Sequence, residues 1–336
     1  MRGGVEKMNK FVVIIPYFGE FKASITLFLE SCNRNPGIDW LIFTDCKVPE
    51  GVCLGGNILW KQMNLSDVKQ LAEQKLQCEV TLNRAYKLCD MKPMYGLIFE
   101  EYIKEYEYWG FGDTDVIYGD VLSYLKRLEY ERYDKINWMG HLCFIRNLPE
   151  INTIAMEEIP GTISPKTVLK TESNQGYDER DFNKKCLSRG IRLYNGEWAA
   201  DIDVFYWRMR CVDLKTLHWL LDTNDVKYAP KNYPLQLFAV VDGRVFRIYI
   251  KGNSIYKDEF AYIHFRKEVP IKFEDITRRS YIISRDGFFS IDESELEKQS
   301  NVRSLIKKYN SQEGPIKEFK TFFYQYYRKK SGKRGW

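Results

Sequence analysis

The sequence predicts an α/β protein with an open, mostly parallel central sheet flanked by helices. Three observations carry that expectation. The chain opens with Phe11-Val12-Val13-Ile14-Ile15, a continuous apolar run suited to a strand buried on both faces. Strand-like and helix-like stretches then follow in the order β-α-β-β-α. Polar residues collect where these strands end, and that is where open α/β sheets bind ligands.

Taken in order, the first strand stops at Pro16-Tyr17-Phe18, and Ala23 to Cys32 reads as a helix halted by Asn35-Pro36-Gly37. Trp40 to Phe43 is a second strand that delivers Thr44 and Asp45 at its end, and Asn57 to Met63 is a third. Ser66 can cap a helix over Asp67 to Gln77. Pro93 suits a first helical turn, so a helix from Pro93 toward Tyr102 would leave Asp90 and Lys92 at an N-terminus that favours an anion, with Lys87 nearby. Its structural alternative is a cap and a surface lysine. The next strand, EYEYWGFG, runs into Asp113-Thr114-Asp115. Asn137 to Ile145 carries His141 and ends at Arg146 and Asn147, residues 161–175 read as a loop, and Asp178 to Ser188 is a helix ended by Gly190. Asp242-Gly243 is a two-residue hairpin signal between Leu235–Val241 and Arg244–Ile250, and Glu259 to Phe265 is a late strand carrying His264.

No repeat or low-complexity linker interrupts the chain. The expectation is one domain over 8–300, with a nucleotide-binding half (8–120) and an acceptor half (121–300), followed by a helical basic tail (301–336). At 336 residues, 44% apolar and 15% aromatic, it can bury a substantial core. Eight scattered cysteines without a CxxC pair fit free thiols in a reducing compartment, and MRGGVEKMNK lacks the apolar run of a secretory signal, so a cytoplasmic location is expected. The net charge of +5 resides in the tail: seven basic residues and one acid lie between Ile316 and Trp336, which leaves the body near neutrality and argues against a general nucleic-acid surface. Phe319, Phe322, Phe323, Tyr324, Tyr326 and Tyr327 interleave with those cations, a pattern suited to the anionic inner face of a membrane or to packing on the body.

The chemistry centres on Asp113 and Asp115. In an extended chain, side chains two apart share a face, and neighbouring carboxylates repel unless a cation or a shared proton joins them. Mg²⁺ or Mn²⁺ suits such oxygen ligands and keeps positions open for phosphate oxygens. Gly110 and Gly112 leave room for a ligand or another backbone. A solvated acidic turn is the plainer alternative. Only three histidines exist, and imidazole is compatible with Mn²⁺.

In order, FVVIIPYFG, DWLIFTD, YKLCDMKP, FGDTDVIYGD, GHLCFIRN, YDERDF and AYIHFRK make the stretch from Lys10 to Lys267 resemble an uncharacterised bacterial family of GT-A-type glycosyltransferases. It is similar, more distantly, to glycogenin-like and capsular or lipopolysaccharide sugar transferases. The resemblance implies a metal site of Asp113, Asp115 and His264, bridging the diphosphate of a nucleotide-sugar, most simply a UDP-sugar. It implies that Arg266 or Lys267 meets that donor, and Lys87, Asp90, Lys92 and Thr114 are further donor-binding candidates read from the residues themselves. Pro16, Tyr17, Thr44 and Asp45 would form the base and ribose pocket, Tyr17 stacking on uracil. His141, Arg146 and Asn147 would line the acceptor side. Asp178 or Glu179 would be a general base or would steady the oxocarbenium ion, and the histidine-type metal site favours retention of configuration. The acceptor would be a saccharide or lipid-linked saccharide of surface polysaccharide synthesis. A nucleotidyltransferase, a metal-dependent phosphohydrolase and a non-catalytic carbohydrate-binding protein are the competing classes. The first normally has a Gly-rich turn where this chain has PYFGE, and the second needs further metal ligands.

Overall fold

The computed structural model describes residues 9–196, 198–202, 209–212, 231–265, 273–274 and 279–310. Two compact units emerge. One comprises residues 1–114, 121–197 and 217–228, and the other comprises 115–120, 198–216 and 229–336. The chain passes from the first to the second between Thr114 and Asp115, inside the acidic motif.

The first unit is the predicted α/β layer. Strand β1 (Phe11–Tyr17) lies parallel to β2 (Ile38–Thr44) on one side and to β4 (Tyr108–Gly112) on the other, and β3 (Ile58–Gln62) extends the sheet parallel to β2. Helix α1 (Ile25–Asn33) links the first two strands, and α2 (Leu65–Leu76) follows β3. The second helix begins earlier than expected, with Asn64 rather than Ser66 at its cap: the Asp67 carboxylate accepts from the Asn64 amide at 2.9 Å. Past β4 the sheet turns antiparallel, through β7 (Leu142–Arg146) and β6 (Lys135–Ile136), then pairs β6 in parallel with β8 (Leu193–Tyr194). Helix α6 (Val121–Arg127) precedes β6.

Three expectations fail here for local reasons. No helix starts at Pro93. A broken helical run already begins at Ala85, through α3 (Leu88–Met91), a tight turn at Lys92–Met94, α4 (Tyr95–Ile98) and α5 (Glu100–Ile103). The proline, which has no N–H to give, is absorbed in a 3₁₀ turn. Asp90 and Lys92 are therefore interior to the run and buried. The presumed loop 161–175 contains α8 (Pro165–Lys170), preceded by α7 (Pro149–Asn152). Ser164-Pro165 is a start signal that apolar periodicity alone does not reveal. Helix α9 (Asp181–Ser188) begins three residues later than expected, so Asp178 and Glu179 stand in the turn before it.

The core explains Gly110 of β4. A Cβ on Gly110 would lie 2.2 Å from the Cys143 carbonyl oxygen, so the room it leaves is filled by the backbone of β7. Trp109 is fully buried, its indole donating to Asn152 Oδ1 at 2.7 Å, and a Cβ on Gly96 would meet that indole at 2.6 Å. Emptying such a ring position costs about 3–5 kcal/mol.

The second unit has two sheets. β5 (Val116–Tyr118) and β9 (Ala199–Asp201) flank β13 (Tyr262–His264), antiparallel and parallel respectively. A six-stranded sheet holds β10 (Gln236–Val241), β11 (Arg244–Lys251), β12 (Ser254–Phe260), β14 (Phe273–Glu274), β15 (Tyr281–Ser284) and β16 (Gly287–Ser290). The Asp242-Gly243 hairpin is present, both residues at positive φ. The late strand expected over Glu259 to Phe265 is two strands, because the chain leaves one sheet for the other at Ala261. Helix α10 (Gln299–Tyr309) packs Val302, Leu305 and Ile306 into an apolar cluster with Leu237, Ile248 and Ile282. The remainder of the proposed tail lies outside the described residues.

Candidate active site

In the first unit, the carboxyl ends of β1, β2 and β4 lie along one edge. Pro16 pairs with Phe43 and Tyr17 with Thr44 across β1 and β2. Thr44 is buried, its hydroxyl accepting from the Cys46 amide at 3.1 Å, while the exposed Asp45 carboxylate accepts from the Gly19 amide at 3.0 Å and ties the two strand ends together. The Tyr17 ring stacks on Phe21 at 4.9 Å and its hydroxyl donates to the Glu20 carbonyl at 2.7 Å. That tyrosine belongs to an aromatic pair before any ligand arrives.

At the end of β4 the unit gathers a charged cluster. Lys92 Nζ donates to Asp113 Oδ1 at 2.6 Å and to the Gly140 carbonyl at 3.0 Å, with Asp178 Oδ2 at 3.8 Å. Glu179 Oε1 accepts from the Gly140 amide at 2.9 Å, and the Asp113 amide donates to the His141 carbonyl at 3.3 Å. A Cβ at Gly140 would come within 2.4 Å of Asp178 Oδ2, so the close approach requires glycine. The Asp113 side chain keeps 30% of its exposure, whereas Lys92 and Asp178 are nearly enclosed. Burial pushes the Asp178 carboxyl up to about 8 against the pull of Lys92, helped by the charges of Glu179, Asp113 and Asp90. Burial disfavours the Lys92 cation, but Asp113 and Asp178 hold its pKa well above the ordinary lysine value. The cluster thus fixes one cation beside an accessible carboxylate and a carboxyl that burial pushes toward its protonated form. Thr114, half-buried, is the last residue of this stretch of the unit.

The other residues predicted for this unit do not join the cluster. Lys87 and Asp90 pair with each other at 2.7 Å, and the Asp90 carboxylate also accepts from the amides of Gln175 and Tyr177. Lys87 donates further to the Ser173 carbonyl at 3.2 Å. This enclosed pair fastens the 173–177 segment. Arg146 and Asn147 lie away from the acids. β7 runs antiparallel to β4, so Arg146 pairs with Tyr108 at the amino end of β4, while Leu142 pairs with Gly112 near the acids. Arg146 donates to the Glu131 carbonyl and pairs with Asp134, and Asn147 donates to the Ile103 and Tyr106 carbonyls. Only His141 of the expected acceptor set lies at the carboxyl edge.

In the second unit, His264 ends β13 between two acids. Its Nδ1 lies 2.9 Å from Asp201 Oδ1, and its Nε2 lies 3.4 Å from Asp115 Oδ1. Strand pairing sets the geometry: His264 is in register with Asp201 across β9, the Phe265 amide donates to the Asp115 carbonyl at 3.1 Å, and the Ile202 amide donates to the His264 carbonyl at 2.8 Å. Burial disfavours the imidazolium, but Asp115 and then Asp201 outweigh it and raise the His264 pKa to about 9. Oxygen donors plus one imidazole form a donor set that fits Mn²⁺ or Mg²⁺. Asp201 has no sequence signal of its own, since it follows only from the pairing of β9 with β13. Arg266 and Lys267 lie outside the described residues.

Among the described residues no helix is long and apolar enough to cross a membrane. No curated protein sequence matches the chain. The galactosyltransferase LgtC, solved with donor and acceptor sugar analogs, is similar over 56% of this chain and 75% of its own at 12% identity, TM-score 0.36. Mouse xyloside xylosyltransferase 1, in its apo form, is similar over 78% and 99% at 7% identity, TM-score 0.41. Likenesses this faint carry no functional argument. Residues 13–292 match a described protein family, so the chain, over most of its length, belongs to the family of unknown function DUF6625.

Proposed function

We propose that the protein is a metal-dependent glycosyltransferase that moves a sugar from a nucleotide-sugar, a UDP-sugar in the simplest case, to a saccharide or lipid-linked saccharide. The observation that supports this most is the imidazole of His264 set 3.4 Å from Asp115, one acid of the motif at the end of β4. Asp113, Asp115 and His264 are the residues that would hold Mn²⁺ or Mg²⁺. When bound, the ion neutralises charge on a leaving nucleoside diphosphate.

The chain's own residues supply the rest. Pro16, Tyr17, Thr44 and Asp45, at adjoining strand ends, offer a shelf for the base and ribose. Lys92, a buried cation held by Asp113, would supply positive charge beside the donor, and a fixed cation acts without reorganising when charge develops. Asp178 carries a proton near neutrality and Glu179 is anchored on the Gly140 amide, so this pair can exchange a proton with an acceptor hydroxyl or face a developing oxocarbenium ion. The retaining course follows from the resemblance noted above.

A panel of nucleotide-sugars, assayed for release of the nucleoside diphosphate, tests this reading. Manganese-dependent hydrolysis of one UDP-sugar, lost in Asp115→Ala, is expected. Release from no member of the panel, together with stabilisation by a nucleoside triphosphate, would replace the transferase with a nucleotidyltransferase.

A further inference from the structure

We infer that Asp201 is a positioning residue that fixes the His264 imidazole so that Nε2, rather than Nδ1, is the nitrogen offered to a divalent ion. The inference rests on the metal-site reading above, but the atoms that support it are all in the second unit.

A neutral imidazole carries one N–H, and the nitrogen that keeps it cannot ligate a metal. In water the histidine side chain prefers the proton on Nε2. Offering Nε2 to an ion therefore requires a partner that holds the proton on Nδ1. Asp201 Oδ1 lies 2.9 Å from Nδ1, on the far side of the ring from Asp115, which faces Nε2 at 3.4 Å. The carboxylate comes from a neighbouring strand in direct register, with the Ile202 amide bonded to the His264 carbonyl, so backbone pairing holds acceptor and ring at one level. The His264 side chain is 9% exposed and that of Asp201 14%, which keeps water from competing strongly for the bond. A carboxylate behind a ligating histidine also raises the basicity of the other nitrogen, and losing such a partner commonly weakens metal affinity by about 10–100-fold. Asp201 touches neither donor nor acceptor in this scheme. Its effect passes through the ring.

The test has two readouts. The first is independent of metal: ¹⁵N-histidine spectra of the metal-free protein at alkaline pH, with the His264 signal assigned by His141→Gln and His218→Gln. The native protein should show His264 protonated on Nδ1. Asp201→Ala should shift the population to the Nε2–H form, and Asp201→Asn, whose side-chain oxygen still accepts, should restore Nδ1–H. The second readout is Mn²⁺ affinity by electron paramagnetic resonance, expected to fall about 10–100-fold in Asp201→Ala and less in Asp201→Asn. An unchanged tautomer in Asp201→Ala overturns the inference. So does an Nε2–H form in the native protein. If the tautomer shifts as expected but the native protein binds no Mn²⁺, the positioning role stands and the metal-site reading falls. Should Asp201→Ala not fold, failure of Asp201→Asn to keep Nδ1–H overturns the inference by itself.

Discussion

Two lysine–aspartate pairs in the first unit have lysines five residues apart, and they differ in what their acids can still do. Lys87 and Asp90 meet at 2.7 Å, and the Asp90 side chain is 0% exposed with two backbone amides also bonded to it. Lys92 and Asp113 meet at 2.6 Å, but the Asp113 side chain remains 30% exposed. In the first pair every lone pair is engaged in closing the fold. In the second the acid has capacity left for a ligand, while its lysine is braced by the Gly140 carbonyl and by Asp178. Charge and motif do not separate these pairs. Saturation does.

Several measurements would sharpen or break that contrast. The largest effect is expected in turnover: Asp113→Ala should lower metal-dependent release of nucleoside diphosphate per folded molecule at least about a hundredfold, while the urea midpoint also falls because the buried Lys92 loses its partner at 2.6 Å. Asp90→Ala should differ in leaving turnover per folded molecule intact. It leaves a buried lysine unpaired and should cost about 3–5 kcal/mol in urea unfolding, lowering activity only through loss of folded protein. A midpoint unmoved by Asp90→Ala would end the distinction.

Smaller effects come with pH. The folded Asp178 carboxyl, raised from 3.8 to about 8, binds its proton more tightly than the unfolded chain does. Its contribution to stability is complete below the unfolded value and is lost as pH rises through about 8. Asp178→Asn should therefore flatten the fall in stability across that interval, as followed by thermal unfolding at a series of pH values. In the metal-free protein His264 is raised from 6.5 to about 9, so its stabilisation is full below 6.5 and is lost as pH climbs through 9. Because an ion must displace that proton, Mn²⁺ affinity should climb with pH and level off above about 9. The smallest effect belongs to Asn147, whose amide donates only to carbonyls at the opposite edge of the sheet: Asn147→Ala should cost about 1 kcal/mol in stability and leave KM for any acceptor unchanged.

Much of the α/β unit was legible because its strands are continuous apolar runs with polar residues at their ends. The Asp242-Gly243 hairpin was legible because both positions need positive φ. A shared metal site for Asp115 and His264 was what the resemblance implied, and in the second unit the two side chains lie 3.4 Å apart. What stayed hidden depends on long-range pairing. Nothing local in Lys87 or Asp90 announces that the Ser173 carbonyl will take the lysine and the amides of Gln175 and Tyr177 the acid. Arg146 looked like an edge residue because it ends a strand, but the reversal of β7 puts that end at the wrong edge. Asp201 stands 63 positions from His264 and meets it only through register.

The most direct test of the central claim is thermal unfolding with uridine diphosphate, with and without Mn²⁺, in the native protein and in Asp115→Ala. The account predicts stabilisation that needs both nucleotide and metal and disappears in the variant. Stabilisation by the nucleotide that persists in excess chelator and in Asp115→Ala would contradict it.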